Sequence, residues 1–155
     1  MLFRSRLKIR LQDRPPTTSN LSSVTVRIVD STDQAVLTKT VAAAQDGMTL
    51  VSDDTLDTLS GNHTLWVKPV GYLASKLTNV PATSFTDGTV NLIPEASIGD
   101  FNGDGEATRA DWEILIKHIR HQQTSSVLTE LFGDRVPLRA VVDTLRNIVN
   151  HKKDA

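Results

Sequence analysis

Strict alternation opens the chain. In LFRSRLKIRL, Phe3, Leu7, Ile9 and Leu11 share one parity, while Arg4, Arg6, Lys8 and Arg10 share the other. That two-residue period is the mark of a half-buried strand. RPPTTSNLSS then interrupts the pattern with two prolines and a polar run. Alternation resumes in VTVRIVD through Val24, Val26 and Ile28, and β-branched runs follow in AVLTKTV and MTLVS. In HTLWVKPV, Leu65 and Val67 oppose Trp66 and Lys68; LASKLTNV and TVNLI come next. About seven short strands separated by turn signals predict an all-β sandwich over residues 1–97.

The period changes after Pro94, with PEASI expected to act as a short hinge. Trp112, Leu115, Ile116 and Ile119 fall at helical spacing, as do Leu138, Val141, Val142, Leu145, Ile148 and Val149. Both segments read as amphipathic helices, the kind whose apolar stripe faces a core. TSSVLTELF between them fits a short helix capped by Thr124, Ser125 or Ser126, with Gly133 near its end. The fold class is therefore two-part α+β: a sandwich over 1–97, then a helical module over 98–155. An offset of 30 also aligns GDGEATRADWEIL with GDRVPLRAVVDTL, matching Arg109–Ala110 to Arg139–Ala140 and Leu115 to Leu145. This suggests a worn duplication.

The sharpest chemistry lies in GDFNGDGEATRADWEILIKHI. Counted from Asp100 as position 1, oxygen-bearing side chains stand at 1 (Asp100), 3 (Asn102), 5 (Asp104), 9 (Thr108) and 12 (Asp111). Gly105 sits at the sharp turn of position 6, and Glu106 at position 7 offers its backbone carbonyl. This is the ligand schedule of an EF-hand loop. Calcium takes six to eight oxygens at roughly 2.3–2.6 Å, which alternate residues of a tight loop can supply. The expected cofactor is one Ca2+ ion, with Mg2+ second because it prefers a stricter octahedron. Asp111 replaces the usual glutamate, and its shorter side chain requires the following helix to approach more closely. At the second copy, Glu130 to Val141, Phe132, Arg135, Leu138 and Val141 occupy ligand or turn positions, so no ion is expected there.

The loop resembles the first calcium-binding repeat of a dockerin, a module of two loop–helix repeats with aspartate at the last ligand position and no helix before the loop. The resemblance covers residues 98–151. LKIRLQDRPP, VTVRIVD, AVLTKTV and GNHTLWVKPVGYLASKLTNV resemble the carboxypeptidase-regulatory (transthyretin-like) β-sandwich that precedes dockerins in bacterial surface and secreted proteins. The resemblance implies a non-catalytic docking function, with calcium-ordered helices recognising a cohesin-like β-sandwich partner. It carries recognition onto Arg109, Ala110, Ile116 and Lys117 in the first repeat, and onto Arg139, Ala140, Arg146 and Asn147 in the second. The alternatives are ordinary solvated helix residues at those positions, or a structural subunit whose helices pack on their own or a neighbouring subunit's sandwich. A module of fewer than about 60 residues is marginal on its core alone, so chelation is expected to lower helicity in 98–151.

Composition narrows the field further. The formal net charge is −1, and neither half is basic: residues 1–97 carry 9 basic and 9 acidic side chains, and 98–155 carry 8 and 9. No nucleic-acid partner is expected, and the Arg4–Arg10 row reads as a solvated strand face. Absence of cysteine excludes disulfides, thiolate metal sites and a cysteine nucleophile. No run reaches the ~18 apolar residues of a membrane span. The start has no signal-peptide core, so either the protein stays inside or this is a piece of a longer secreted chain. The dockerin resemblance implies the second, an extracellular or cell-surface role. Nucleophile-elbow, Walker and dinucleotide fingerprints are missing, and no enzyme activity is expected. His118 and His121 read as surface or boundary residues. Trp66, on the outward parity, leaves a glycan contact open.

Overall fold

The computed structural model describes residues 5–8, 10–11, 23–42, 48–51, 53–86 and 95–155. The expected TVNLI strand and Arg4 lie outside them. Four strands, β3 (Ser23–Val29), β4 (Ala35–Ala42), β6 (Asn62–Pro69) and β8 (Ser75–Pro81), form an antiparallel sheet in the order β4-β3-β6-β8. Alternation sets its faces. Val26 pairs with Val67 and Ile28 with Leu65, and all four are buried. They share one core with Val24, Leu37, Val51, Leu56, Val80 and Phe85. On the other parity Arg27 pairs with Trp66, which pairs with Lys76. The Lys76 ammonium stands 4.8 Å from the Trp66 ring centroid, so one side of the ring is already taken by a cation.

The remaining strands form pairs: β1 (Ser5–Lys8) with β5 (Met48–Val51), β2 (Arg10–Leu11) with β9 (Glu95–Ala96), and β7 (Gly71–Tyr72) with β10 (Ile98–Asp100). The chain is thus mixed α+β, with one sheet of four strands and four helices among the described residues. Two short helical pieces interrupt the β region, a 3-10 turn at Asp54–Thr58 and α1 (Thr83–Thr86). Asp53 accounts for the first, its carboxylate accepting from the Thr55 backbone N–H at 3.0 Å and the Thr55 hydroxyl at 2.6 Å. An Asx cap of this kind leaves no periodic signature.

Within the expected hinge at PEASI, Glu95–Ala96 and Ile98 are instead paired strand. Ala96 and Ile98 are fully buried, because alternation puts both apolar side chains into a second core. That core joins Tyr72, Ala96, Ile98 and Phe101 to Leu115, Leu128, Leu131 and Ala140. Tyr72 therefore reaches from the β region into the helical one. A Cβ at Gly71 would stand 2.6 Å from Leu131 Cδ1 and 3.0 Å from Val127 Cγ1, so glycine there permits the approach of α3 (Ser126–Phe132).

Helix α2 (Arg109–Ile119) buries Leu115 together with Asp111 and His118; of the rest of the expected stripe, Trp112 and Ile116 are half-buried and Ile119 is exposed. Helix α3 is capped by the Ser125 hydroxyl, which accepts from the Leu128 N–H at 3.3 Å, and ends at Gly133. Helix α4 (Leu138–Val149) reverses the expectation. It buries Ala140, Asp143, Thr144 and Asn147, and leaves Leu138, Val142, Leu145 and Val149 at 78%, 46%, 45% and 66% exposure. Close packing explains the reversal. α4 lies on β10, where a Cβ on Gly99 would stand 3.7 Å from Thr144 Cγ2 and 3.4 Å from Ala107 Cβ. Small and hydrogen-bonding side chains line that contact. Asn147 uses its place there to donate from Nδ2 to the Ile98 carbonyl at 2.6 Å.

The first turns of the two long helices give a second offset for the duplication, beside the 30 read from the sequence. Thr108 caps α2 and Pro137 precedes α4, an offset of 29. The same offset relates the buried Asp111, Leu115 and His118 to the buried Ala140, Thr144 and Asn147. The closing turns keep the offset of 30: the backbone bonds from Arg120 to Ile116, His121 to His118 and Gln122 to Lys117 recur from Asn150 to Arg146, His151 to Ile148 and Lys152 to Asn147, with positive φ at both His121 and His151.

Candidate functional site

The acidic loop is built around two buried carboxylates. Asp111 accepts from the Phe101 and Asn102 backbone N–H groups on Oδ1, at 2.7 and 3.1 Å. Its Oδ2 accepts from the Thr108 N–H at 2.9 Å and the Thr108 hydroxyl at 3.2 Å. Thr108 Oγ1 in turn accepts from the Ala110 N–H at 3.3 Å. This capping box fastens the loop to the first turn of α2.

Asp100 is the second buried carboxylate. Its Oδ2 accepts from the Gly105 N–H at 3.1 Å, while Oδ1 is buried with no hydrogen-bond partner. Such an atom costs about 1–3 kcal/mol unless something satisfies it. Nearer the surface, Asn102 Oδ1 accepts from the Asp104 N–H at 3.0 Å, and Asn102 Nδ2 donates to Asp104 Oδ2 at 2.9 Å. Asp104 Oδ1 accepts from the Glu106 N–H at 2.9 Å. Gly105 holds a φ of +87°, which suits glycine at the turn.

These donors are all oxygens in hard-cation order, and Asp100 Oδ1 is the unsatisfied acceptor among them. Their chemistry fits an ion of the calcium class. The side chains are nonetheless turned to other partners: among the described residues, no three His, Cys, Asp or Glu groups are gathered as an ion-holding cluster. Asp111 spends both oxygens on the loop's own donors, and Glu106 pairs with Lys153 at 3.0 Å.

A cation from the sheet meets this loop. Lys68 Nζ, from β6, lies 2.6 Å from Asp100 Oδ2 and 2.6 Å from Asp154 Oδ2. Burial pulls the Lys68 ammonium toward the neutral form, but its hydrogen bonds to Asp100 and Asp154 more than reverse this and hold it above the ordinary lysine value. The C-terminal segment closes the arrangement. The Asp154 N–H donates to the Gly105 carbonyl at 2.8 Å, Asp154 Oδ1 accepts from the Ala74 N–H at 2.7 Å, and the Ala107 N–H donates to the Lys152 carbonyl at 3.0 Å. Sequence reading missed Lys68 and Asp154. Their only advance signal was a lysine on an outward strand parity, which solvated lysines share.

The residues expected to recognise a partner divide. Arg109, Ala110 and Lys117 are exposed on α2, with Ile116 half-buried beside them. Arg109 pairs with Glu113 at 3.3 Å, so this face is polar. On α4, Arg139 and Arg146 are exposed and cover the buried Asp143 carboxylate, at 3.8 and 2.8 Å. Ala140 and Asn147 do not lie on a surface at all: both are 1% exposed, because their side of α4 is pressed on β10. The surface next to the two arginines is the row Leu138, Val142, Leu145 and Val149. Its helical spacing is visible in the sequence, where it predicts a core face; the fold turns it to solvent. His118 is likewise buried. Its Nδ1 accepts from the Ser125 N–H at 3.2 Å, which leaves Nε2 to donate to the Gly133 carbonyl at 3.1 Å. It fastens α2 to both ends of α3.

No family model and no curated protein sequence matches the chain. Solved structures do. A chain of a type II cohesin–X–dockerin complex from Acetivibrio cellulolyticus, an N-terminal interface mutant, matches with a TM-score of 0.58 at 18% identity, over 97% of each chain. A chain of the corresponding C-terminal interface mutant matches with a TM-score of 0.53, also at 18% identity and over 97% of each chain. At that identity the likeness is one of fold, and it extends over both the β and the helical regions. No helix among the described residues is long and apolar enough to cross a membrane.

Proposed function

We propose that this chain is a non-catalytic docking module. Helix α4 seats its exposed apolar row on a cohesin-like β-sandwich partner, and so attaches the parent protein to a larger complex or cell surface. The observation that carries this reading is the outward row Leu138, Val142, Leu145 and Val149. Four large apolar side chains on one face of a twelve-residue helix are costly to keep in water, and such patches commonly mark protein interfaces. Arg139 and Arg146 flank the row, which favours a partner with an apolar centre and an acidic rim. The likeness in fold to chains of cohesin–X–dockerin complexes supports the same partner class.

In this reading the acidic loop holds one calcium ion through Asp100, Asn102, Asp104, the Glu106 carbonyl, Thr108 and Asp111. When bound, the ion supplies positive charge to the Asp100 and Asp104 carboxylates and helps fix the loop to α2. The chain's own contribution is the capping box at Thr108 and Asp111, and the β10–α4 packing that holds the docking face in place.

The test is calorimetric titration of the full chain with a panel of purified type II cohesin modules, in calcium and in chelator. Saturable one-to-one binding in calcium, weakened by chelator, supports the proposal. If no cohesin binds and sedimentation shows a concentration-dependent dimer, the row instead joins copies of this chain. That result favours the structural-subunit reading.

A further inference from the structure

We propose that Lys68 is a built-in competitor for the cation at the acidic loop, so that ion loading releases a latch between the sheet and the C-terminal segment. The inference rests on the calcium reading above.

Its physical basis is a closed ring of contacts. Lys68 Nζ bridges Asp100 Oδ2 and Asp154 Oδ2, at 2.6 Å each. Asp100 Oδ2 also accepts from the Gly105 N–H, and the Gly105 carbonyl accepts from the Asp154 N–H at 2.8 Å. The ring joins residues 32 and 86 positions apart from Lys68, and so ties β6, the loop and the last turn of chain into one unit. Asp154 further holds the Ala74 N–H. Glycine at 105 makes room for this: a Cβ there would stand 3.0 Å from Asp154 Oδ2.

The free Asp100 oxygen lies on the same carboxylate. Oδ1 is the buried acceptor without a partner, and Oδ2 carries the ammonium. A cation taken on Oδ1 would share one carboxylate with Lys68, in a setting where the Asp100 side chain is fully buried and screening is weak. Two like charges on one carboxylate repel. Each weakens the other, and linkage makes the effect reciprocal: whatever Lys68 costs the ion, the ion costs the Lys68 contact. Asp154 then loses the ammonium it shares, and with it part of what holds the C-terminal segment against Ala74.

Calcium chloride is titrated calorimetrically into the full chain as wild type, Lys68→Met and Lys68→Arg, and amide hydrogen exchange at Ala74 and Asp154 is followed in each with and without calcium. The methionine variant should bind calcium about ten-fold more tightly, while the arginine variant, which keeps the charge, stays close to wild type. Calcium should speed exchange at Ala74 and Asp154 in the wild type. If wild type and Lys68→Met bind calcium equally, the competitor is refuted and the ion site stands. If none of the three binds, the ion reading fails and the latch with it. The wild-type exchange measurement needs no variant: unchanged protection at Ala74 and Asp154 while calcium binds contradicts the coupling.

Discussion

Aligned by their first turns, 29 residues apart, helices α2 and α4 turn opposite chemistries outward. The face of α2 that carries Arg109, Glu113, Ile116 and Arg120 is largely polar, and it corresponds to Leu138, Val142, Leu145 and Val149 on α4. Inward, α2 commits the apolar Leu115 where α4 commits Thr144. The difference lies in what each helix rests on. Leu115 enters a core with Tyr72, Phe101 and Leu128, where volume is wanted. Thr144 meets Gly99, where it is not. An amphipathic period therefore reports that a helix has two faces, and the neighbour decides which one is buried.

The contrast can be broken most severely at its two leucines. Leu115→Ala should cost about 3 kcal/mol in denaturant unfolding, the cost of a cavity in a filled core. Leu145→Ala should change stability by no more than about 0.5 kcal/mol, as expected of a surface position. Equal losses at both would mean that α4 is packed the other way round. A smaller effect tests the close contact on β10: Thr144→Leu should overfill the space above Gly99 and cost about 2 kcal/mol, read as a lowered melting temperature. The smallest concerns pH. Because the folded-state Lys68 ammonium is held above its ordinary value of 10.5, its contribution is complete below that pH and is lost as pH rises through the higher folded value. Wild type should therefore lose more stability than Lys68→Met when the pH is raised past 10.5.

Much of this was legible in the chain itself. Period-two runs marked β3 and β6, because one face of that sheet is core and the other is not, and a β-branched run marked β4. Capping chemistry, which is local, marked the ends of α3 at Thr124–Ser126 and Gly133, and the fold uses Ser125. The loop's oxygen schedule was plain for the same reason. What depended on distant neighbours was not legible. PEASI read as a hinge because its partners, β2 and β7, lie far back in the chain. Ala140 and Asn147 read as surface because nothing local announces β10 beneath them. Lys68 carried no signal beyond its parity opposite Leu65 and Val67, because Asp100 and Asp154 reach it only in the folded chain.

The docking face is tested most directly by a paired measurement on the double variant Val142→Glu with Leu145→Glu, against a cohesin module that binds the wild type. Two glutamates on an exposed row should leave the melting temperature nearly unchanged, while burying two carboxylates against an apolar partner should weaken binding by about a hundred-fold or more. Unfolded or strongly destabilised protein would show that the row is core. Undiminished binding by a stable variant would show that the partner sits elsewhere, and would contradict the docking role of α4.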